Sequence, residues 1–180
     1  MPEAPFQKVF AVGEVPLAAD LNANIRDGFN FALKTKPAAR ASNTVGQTIT
    51  TGSWQVLIFS TEAFDITDNT RSSNDRMDIV VPGLYLCTAN VAFQGDSANG
   101  GRAVRFTKGG TALNGIAACA AAPAGSVTAL GITRLIYLAK GDILRMEGYQ
   151  DSGGNVGINI ANGEVCALQV AYISSATSIR

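Results

Sequence analysis

Residues 82–93 read PGLYLCTANVAF. A Pro-Gly turn leads into two alternating sets of side chains, which is the period of a β-strand. One set is apolar and suits a protein core: Tyr85, Cys87, Ala89, Val91 and Phe93. The other set starts with Leu84 and Leu86 and becomes polar further along. The stretch therefore predicts a long strand with apolar residues on both faces.

The same two-residue period continues from residue 38 to the end of the chain. Further alternating segments lie at 54–59, 102–108, 127–138, 142–150 and 164–174. Turn clusters rich in Gly, Asn, Asp and Ser separate these segments. Eight or nine strands with no helix between them indicate an all-β, antiparallel sandwich, barrel or jelly roll.

Residues 16–34 form the one segment with a helical pattern. Apolar residues recur there at every fourth position: Leu17, Leu21, Ile25, Phe29 and Leu33. This spacing predicts a helix with one apolar stripe, begun near Pro16 and ended by Pro37. The stripe must be covered, either by the domain that follows it or by a partner or identical helices. We favour the second alternative, so Leu17, Leu21, Ile25 and Phe29 are predicted to anchor the chain.

The change of period divides the chain into two parts. We expect residues 1–36 to serve anchoring and assembly, and residues 37–180 to form the β-domain. Two of its segments, 127–138 and 164–174, are apolar on both faces. A sandwich buries only one face of each sheet, so the other face must be covered too. We expect neighbouring subunits to cover it, with the chain's own N-terminal segment as the alternative.

Composition excludes several classes of function. The 180 residues contain no His, which rules out Ser–His–Asp and Cys–His catalysis and His-ligated zinc. The 14 basic residues balance the 14 acidic ones, so we expect no nucleic-acid binding through a basic field. Only 16% of residues are charged, which favours self-association. We predict no catalytic residue and no cofactor; a hydrolase would need a carboxylate pair such as Glu147 and Glu164.

The sequence shows no membrane or export signal. The N-terminal residues lack the pattern of a signal peptide, and no apolar run reaches the length of about 18 residues that a membrane span needs. We therefore expect a protein made in the cytoplasm that does not insert into a membrane.

Two sets of residues have side chains that could form a metal site or a disulfide. The acidic loop offers weak candidates for a calcium site: Asp65, Asp68, Asp75 and Asp78. The spacing does not match an EF-hand, and Arg71 and Arg76 lie among the carboxylates, so we favour a solvated turn and predict no metal.

The three cysteines, at 87, 119 and 166, are interpreted as buried free thiols, and a Cys87–Cys166 disulfide stays open.

The segment from Trp54 to Phe93 resembles the core signature of the C1q/TNF-like superfamily, above all in Val81-Pro82-Gly83-Leu84-Tyr85. The turn at 140–142 and the last strand at 168–173 follow in the order of that family. The resemblance covers about residues 40–174. It implies an antiparallel jelly roll that assembles as a tight parallel homotrimer. The residues we expect at or beside the trimer core are Ile136, Leu138, Leu168, Val170 and Tyr172.

Residues 13–31 read GEVPLAADLNANIRDGFNF, which resembles a segment that precedes a C1q-like domain in minor structural proteins of tailed bacteriophages. No collagen-like repeat is present, unlike in many animal C1q proteins. The resemblance implies a virion protein, as head decoration, fibre or minor tail protein, with other virion structural proteins as partners.

The alternative function is a tail-tip module that binds a receptor or glycan on the bacterial surface. Exposed loops at 96–102 and 151–155 are its candidate contacts, although neither loop has an aromatic residue to stack on a sugar.

Overall fold

The computed structural model describes residues 10–33, 36–66, 74–95, 99–122, 124–158 and 166–175. Two antiparallel β-sheets face each other, and a helix precedes them. The predicted fold class, all-β with a short N-terminal helix, is confirmed. The helix ends at Leu33 and the first strand begins at Ala38, so the predicted boundary between residues 36 and 37 falls in the connection between them.

Strands are numbered in chain order. The first sheet has five, in the spatial order β4 (Thr61–Asp65), β1 (Ala38–Asn43), β12 (Cys166–Ser174), β6 (Gly83–Phe93) and β9 (Thr128–Leu138). The second sheet has the order β3 (Gln55–Val56), β10 (Ile143–Gln150), β7 (Gly100–Lys108) and β8 (Thr111–Ala122), and β5 (Met77–Asp78) pairs with one end of β10. A separate short pair joins β2 (Thr48–Ile49) and β11 (Val156–Gly157).

The core lies between the first and second sheets. All five apolar residues of the alternating set in β6, from Tyr85 to Phe93, are buried, as their period predicts. Side chains of the second sheet complete the core from the other side, among them Val104, Phe106, Leu144 and Met146. The structure therefore shows which of the two alternating sets of the central strand faces inward.

The N-terminal helix has three consecutive parts: Ala18–Leu21, a π-helical stretch Asn22–Arg26, and Asp27–Leu33. It begins two residues after Pro16, with Leu17 in extended conformation before its first turn. The predicted helix is thus confirmed, but its middle turn is wider than an α-helical turn.

A chain of aromatic rings closes one end of the sandwich and fixes the end of the helix to it. Phe31 packs edge-on against Tyr172, with ring centroids 5.4 Å apart, and Tyr172 packs edge-on against Tyr85, also at 5.4 Å. The Tyr85 hydroxyl donates a 2.6 Å hydrogen bond to the Val81 carbonyl. Gly83 makes room for this cluster, because a Cβ there would overlap the Tyr172 ring and the Ser174 carbonyl oxygen.

We expect Gly83→Ala to lower the free energy of unfolding by about 1–3 kcal/mol, because the added methyl forces the aromatic cluster and the adjacent backbone apart. Urea denaturation followed by circular dichroism measures this change. Gly131→Ala is the matched control, since its Cβ would meet nothing nearer than the Ala89 carbonyl oxygen at 3.8 Å. Equal stability of the two variants would contradict the packing role of Gly83.

The structure excludes the disulfide between Cys87 and Cys166. Cys87 lies opposite Val170, four residues from Cys166 along β12. At about 3.3 Å per residue, the two α-carbons are roughly 13 Å apart, which is twice the reach of a disulfide. Both residues are buried, and they do not form a disulfide with each other.

Burial raises the pKa of the Cys87 thiol to about 12, from an ordinary value of 9.0. Between these two pH values the unfolded chain loses this proton while the folded chain keeps it. The free energy of unfolding should therefore fall as pH rises from 9 to 12, by up to about 1.4 kcal/mol per pH unit. Urea unfolding across this range should show a shallower pH slope for Cys87→Ala, and identical slopes would contradict the shift.

Candidate assembly surfaces

The outward face of the first sheet carries an apolar patch at one end. We define the patch as Leu84, Leu86, Leu135, Tyr137 and Ile173. Cross-strand pairing sets Leu84 beside Tyr137 and Leu86 beside Leu135, so that these side chains share one face. Leu86, Leu135, Tyr137 and Ile173 are between 37% and 62% exposed. Residues 10–33 of the same chain thus leave the patch uncovered.

Four of the five predicted trimer-interface residues have their side chains inside the subunit. Leu138, Leu168, Val170 and Tyr172 are all buried, and they belong to the core between the two sheets. These side chains can therefore lie beside a trimer core, but they do not themselves form the surface on which another copy would pack. The patch uses the opposite faces of the same strands.

The fifth residue, Ile136, lies in a groove where the edges of the two sheets meet. The groove has a volume of about 260 Å³ and also receives Phe106 from β7 and Leu113 from β8. A bulge creates it, because three residues of β8, at 113–115, stand against one of β7. Leu135 and Tyr137 line the groove as well as belonging to the patch, so the apolar surface continues around the β9 edge.

An arginine, Arg134, also lines the groove. Gly115 adopts φ +101°, and a Cβ there would overlap the guanidinium group of Arg134. Arg134 occupies an inward-facing position, opposite Cys87, but its side chain is exposed at the sheet edge. Glycine at 115 therefore permits both the bulge and the close approach of Arg134.

The apolar stripe of the N-terminal helix is exposed. The predicted anchoring residues Leu17, Leu21, Ile25 and Phe29 are between 41% and 67% exposed. On the described part of the helix, it is Phe31, which lies off the stripe, that packs against the domain core. The chain's own domain does not cover the four stripe residues.

The π-helical stretch keeps the stripe on one side. In an uninterrupted α-helix each step of four residues turns about 40° beyond a full turn, so Phe29 would lie roughly 120° from Leu17. The wider turn at Asn22–Arg26 takes up much of this excess rotation. The spacing in the sequence and the irregular turn together give a single apolar face.

The calcium candidates do not form a metal site among the residues that the structure describes. Asp75 is paired with Arg145 at 3.0 Å and Asp78 with Arg76 at 3.1 Å, while Asp65 ends β4. Within the described ranges, no group of three His, Cys, Asp or Glu residues could hold a metal ion. Asp68 and Arg71 lie outside those ranges.

An aromatic and ionic cluster on the outward face of the second sheet has no counterpart in our sequence predictions. Trp54 and Tyr149 have ring centroids 5.3 Å apart, and Arg105 lies 4.0 Å from the Trp54 ring. Arg105 also forms an ion pair with Glu147 at 2.7 Å. Arg145, on the same strand as Glu147, pairs with Asp75 instead. Glu164 lies outside the described residues.

The two loops that were predicted to contact a ligand lie side by side next to this cluster. The backbone N–H of Gly101 donates to the Asp151 carboxylate, and Gly100 packs closely against Ser152. Arg102, at the end of the first loop, is buried rather than exposed. Residues 96–98 are outside the described ranges.

Comparison with known proteins identifies the fold. No protein-family model and no curated protein matches the chain. The globular domain of zebrafish complement 1qA protein matches with TM-score 0.56 and 14% identity, covering 78% of this chain and 99% of that one. Murine APRIL matches with TM-score 0.58 and 12% identity (77% and 99% covered), and Eiger TNF from S. frugiperda with 0.56 and 12% (79% and 96% covered).

The chain therefore has the C1q/TNF-like jelly-roll fold, as the resemblance in its sequence predicted. At these identities the likeness concerns the fold alone. In the described part of the chain, no helix has the length and apolar character that crossing a membrane requires.

We expect Leu135→Asp to break self-association, because it places a charge at the centre of the most exposed part of the patch. Native mass spectrometry should give three times the 18.7 kDa chain mass for the wild type and the single-chain mass for the variant. Val45→Asp is the matched control, because Val45 is 74% exposed but lies outside the patch. Dissociation of both variants alike would contradict the assignment of the interface to the patch.

Proposed function

We propose that this chain is a non-enzymatic structural protein of a tailed-bacteriophage virion, made in the host cytoplasm. Residues 37–180 form a homotrimer, and residues 1–36 attach it to other virion structural proteins, as a decoration, fibre or minor tail protein. The observation that carries the proposal is that the folded chain leaves two separate apolar surfaces uncovered, the patch on the first sheet and the stripe on the helix.

The shape of the first surface favours a ring of identical chains. The apolar surface runs from the patch around the β9 edge into the groove beside Ile136. In a ring of identical chains, one surface of each copy contacts a different surface of the next copy. This chain offers two such surfaces, because both the face of the first sheet and its β9 edge are apolar. Three copies around an axis would bury the patch of each copy. Full burial of one large apolar side chain contributes about 1.5–3 kcal/mol.

The position of the second surface favours attachment. The helix is fixed to the domain at one end through Phe31 and Tyr172, while its stripe faces away from the domain core. Its sequence is the part that resembles minor structural proteins of tailed phages. An exposed amphipathic helix held at one end is suited to insertion into a groove of another protein.

Gold-labelled antibody to residues 38–180, applied to purified virions and viewed by negative-stain microscopy, tests the virion role. Label on the particles supports the proposal, and its position distinguishes head decoration from a tail location. Absence of label from every particle, with label retained on the purified chain, would overturn the virion role without affecting the trimer.

We expect Ile25→Asp to prevent incorporation into particles while the chain remains trimeric, because the charge disrupts the stripe and not the patch. Particles assembled with the variant chain, purified and probed by immunoblot, give the measurement. Ala19→Asp is the control, since it adds the same charge on the opposite side of the helix, in a first turn where an acidic residue is favourable. Normal incorporation of Ile25→Asp would contradict the anchoring role.

A further inference from the structure

We propose that the outward face of the second sheet binds a neutral saccharide at a site centred on Trp54 and Tyr149. The site lies on the opposite side of the sandwich from the patch, so a trimer formed through the patch leaves it accessible. The proposal goes beyond the structural role, and it does not depend on where the protein is attached.

The sheet itself brings the members of the site together. Gln55 lies opposite Gly148, which sets Trp54, the residue directly before β3, beside Tyr149 of β10. Glu147 lies opposite Arg105, and both point to the same face as Tyr149. Arg105 contacts the Trp54 ring and the Glu147 carboxylate at once, so it holds the ring and the acid in fixed positions. Arg105, Glu147 and Tyr149 are therefore held by regular strands, and Trp54 lies directly before the first residue of β3.

The cluster keeps hydrogen-bonding groups that the described residues leave unused. Neither the indole N–H of Trp54 nor the hydroxyl of Tyr149 has a partner among those residues. Glu147 accepts both bonds from Arg105 on Oε2, which leaves Oε1 as an open acceptor. Trp54, Tyr149, Arg105 and Glu147 are all partly exposed. Partly exposed aromatic rings with unused donors and acceptors beside them suit a sugar. The C–H faces of a sugar can pack on the rings, and its hydroxyl groups can hydrogen-bond to the polar groups.

Charge pairing on this face selects a neutral ligand. Arg105 is paired with Glu147, and Arg145 with Asp75. An anionic ligand would have to displace a carboxylate from its arginine, which removes a charge-assisted hydrogen bond for each one formed. A neutral saccharide can use the open donors and acceptors without breaking any of these pairs.

Trp54 is the only tryptophan in the chain, so its fluorescence reports on this site directly. The full-length protein is titrated with methyl α-glucoside, methyl β-galactoside and N-acetylglucosamine trisaccharide, and with glucuronic acid as the anionic comparison. We expect a saturable change in Trp54 emission with at least one neutral sugar and none with glucuronic acid. No saturable change with any neutral sugar, or a change with the acid alone, would overturn the proposal.

Variants locate the binding. Tyr149→Ala should abolish the saturable change, and Tyr149→Phe, which keeps the ring and loses the hydroxyl, should weaken affinity by about threefold to tenfold. Glu147→Gln should weaken it by about tenfold. Lys108→Gln, at the far end of the strand that carries Arg105 and in the alternate set of side chains, is the control and should bind as the wild type does. Unchanged affinity in Tyr149→Ala and Glu147→Gln would overturn the assignment of the site.

The same samples separate this proposal from the trimer. Native mass measured on each variant shows whether assembly is intact, so that a failure of assembly is recognised independently of sugar binding. If the Trp54 emission changes with protein concentration and not with sugar concentration, another protein chain covers this face. That result would overturn the saccharide site.

Discussion

The five-stranded first sheet is apolar on both faces at one end, but the second sheet covers only one of those faces. Most of the features described above depend on this constraint. Tyr85 and Leu138 are buried between the sheets, while Leu86 and Leu135, on the opposite faces of the same two strands, remain exposed to water. Removing apolar surface from water contributes about 25 cal/mol per Å², so the uncovered face strongly favours contact with another surface. Copies of the chain provide such a surface without any further component.

The same end of the sandwich also receives the helix. Phe31, Tyr172 and Tyr85 form a continuous aromatic contact between the last turns of the helix and the core strands. The patch begins at Leu84 and Tyr137, at this same end of the first sheet. A parallel trimer would therefore bring three helices out at one end, with the saccharide site on the outer sheet of each subunit. Attachment at one end and recognition on the outside are then separate properties of one fold.

The sequence was sufficient to predict the strands and the helix, because each has a single strong period. It was not sufficient to choose the inward face of β9 and β12. Both faces of those strands alternate with the same period and both are apolar, so only their packing against the second sheet decides between them. For that reason Leu168 and Val170 were expected at the trimer interface, whereas Leu135 and Ile173 are the exposed residues. The Trp54 cluster was missed for a related reason, because the contact between Trp54 and Tyr149 depends on the register of β3 with β10.

Hydroxyl-radical footprinting of the wild-type protein at micromolar concentration tests most directly whether the outward face of the first sheet is covered. Ile173, in the patch, is 45% exposed in the single chain, and Ile58, outside it, is 48% exposed. The two side chains are chemically identical, so a single chain would oxidise both at the same rate. Oxidation of Ile173 several times more slowly than Ile58 is the result that this account predicts. Equal rates would show that the face stays open to water and would contradict assembly through the patch.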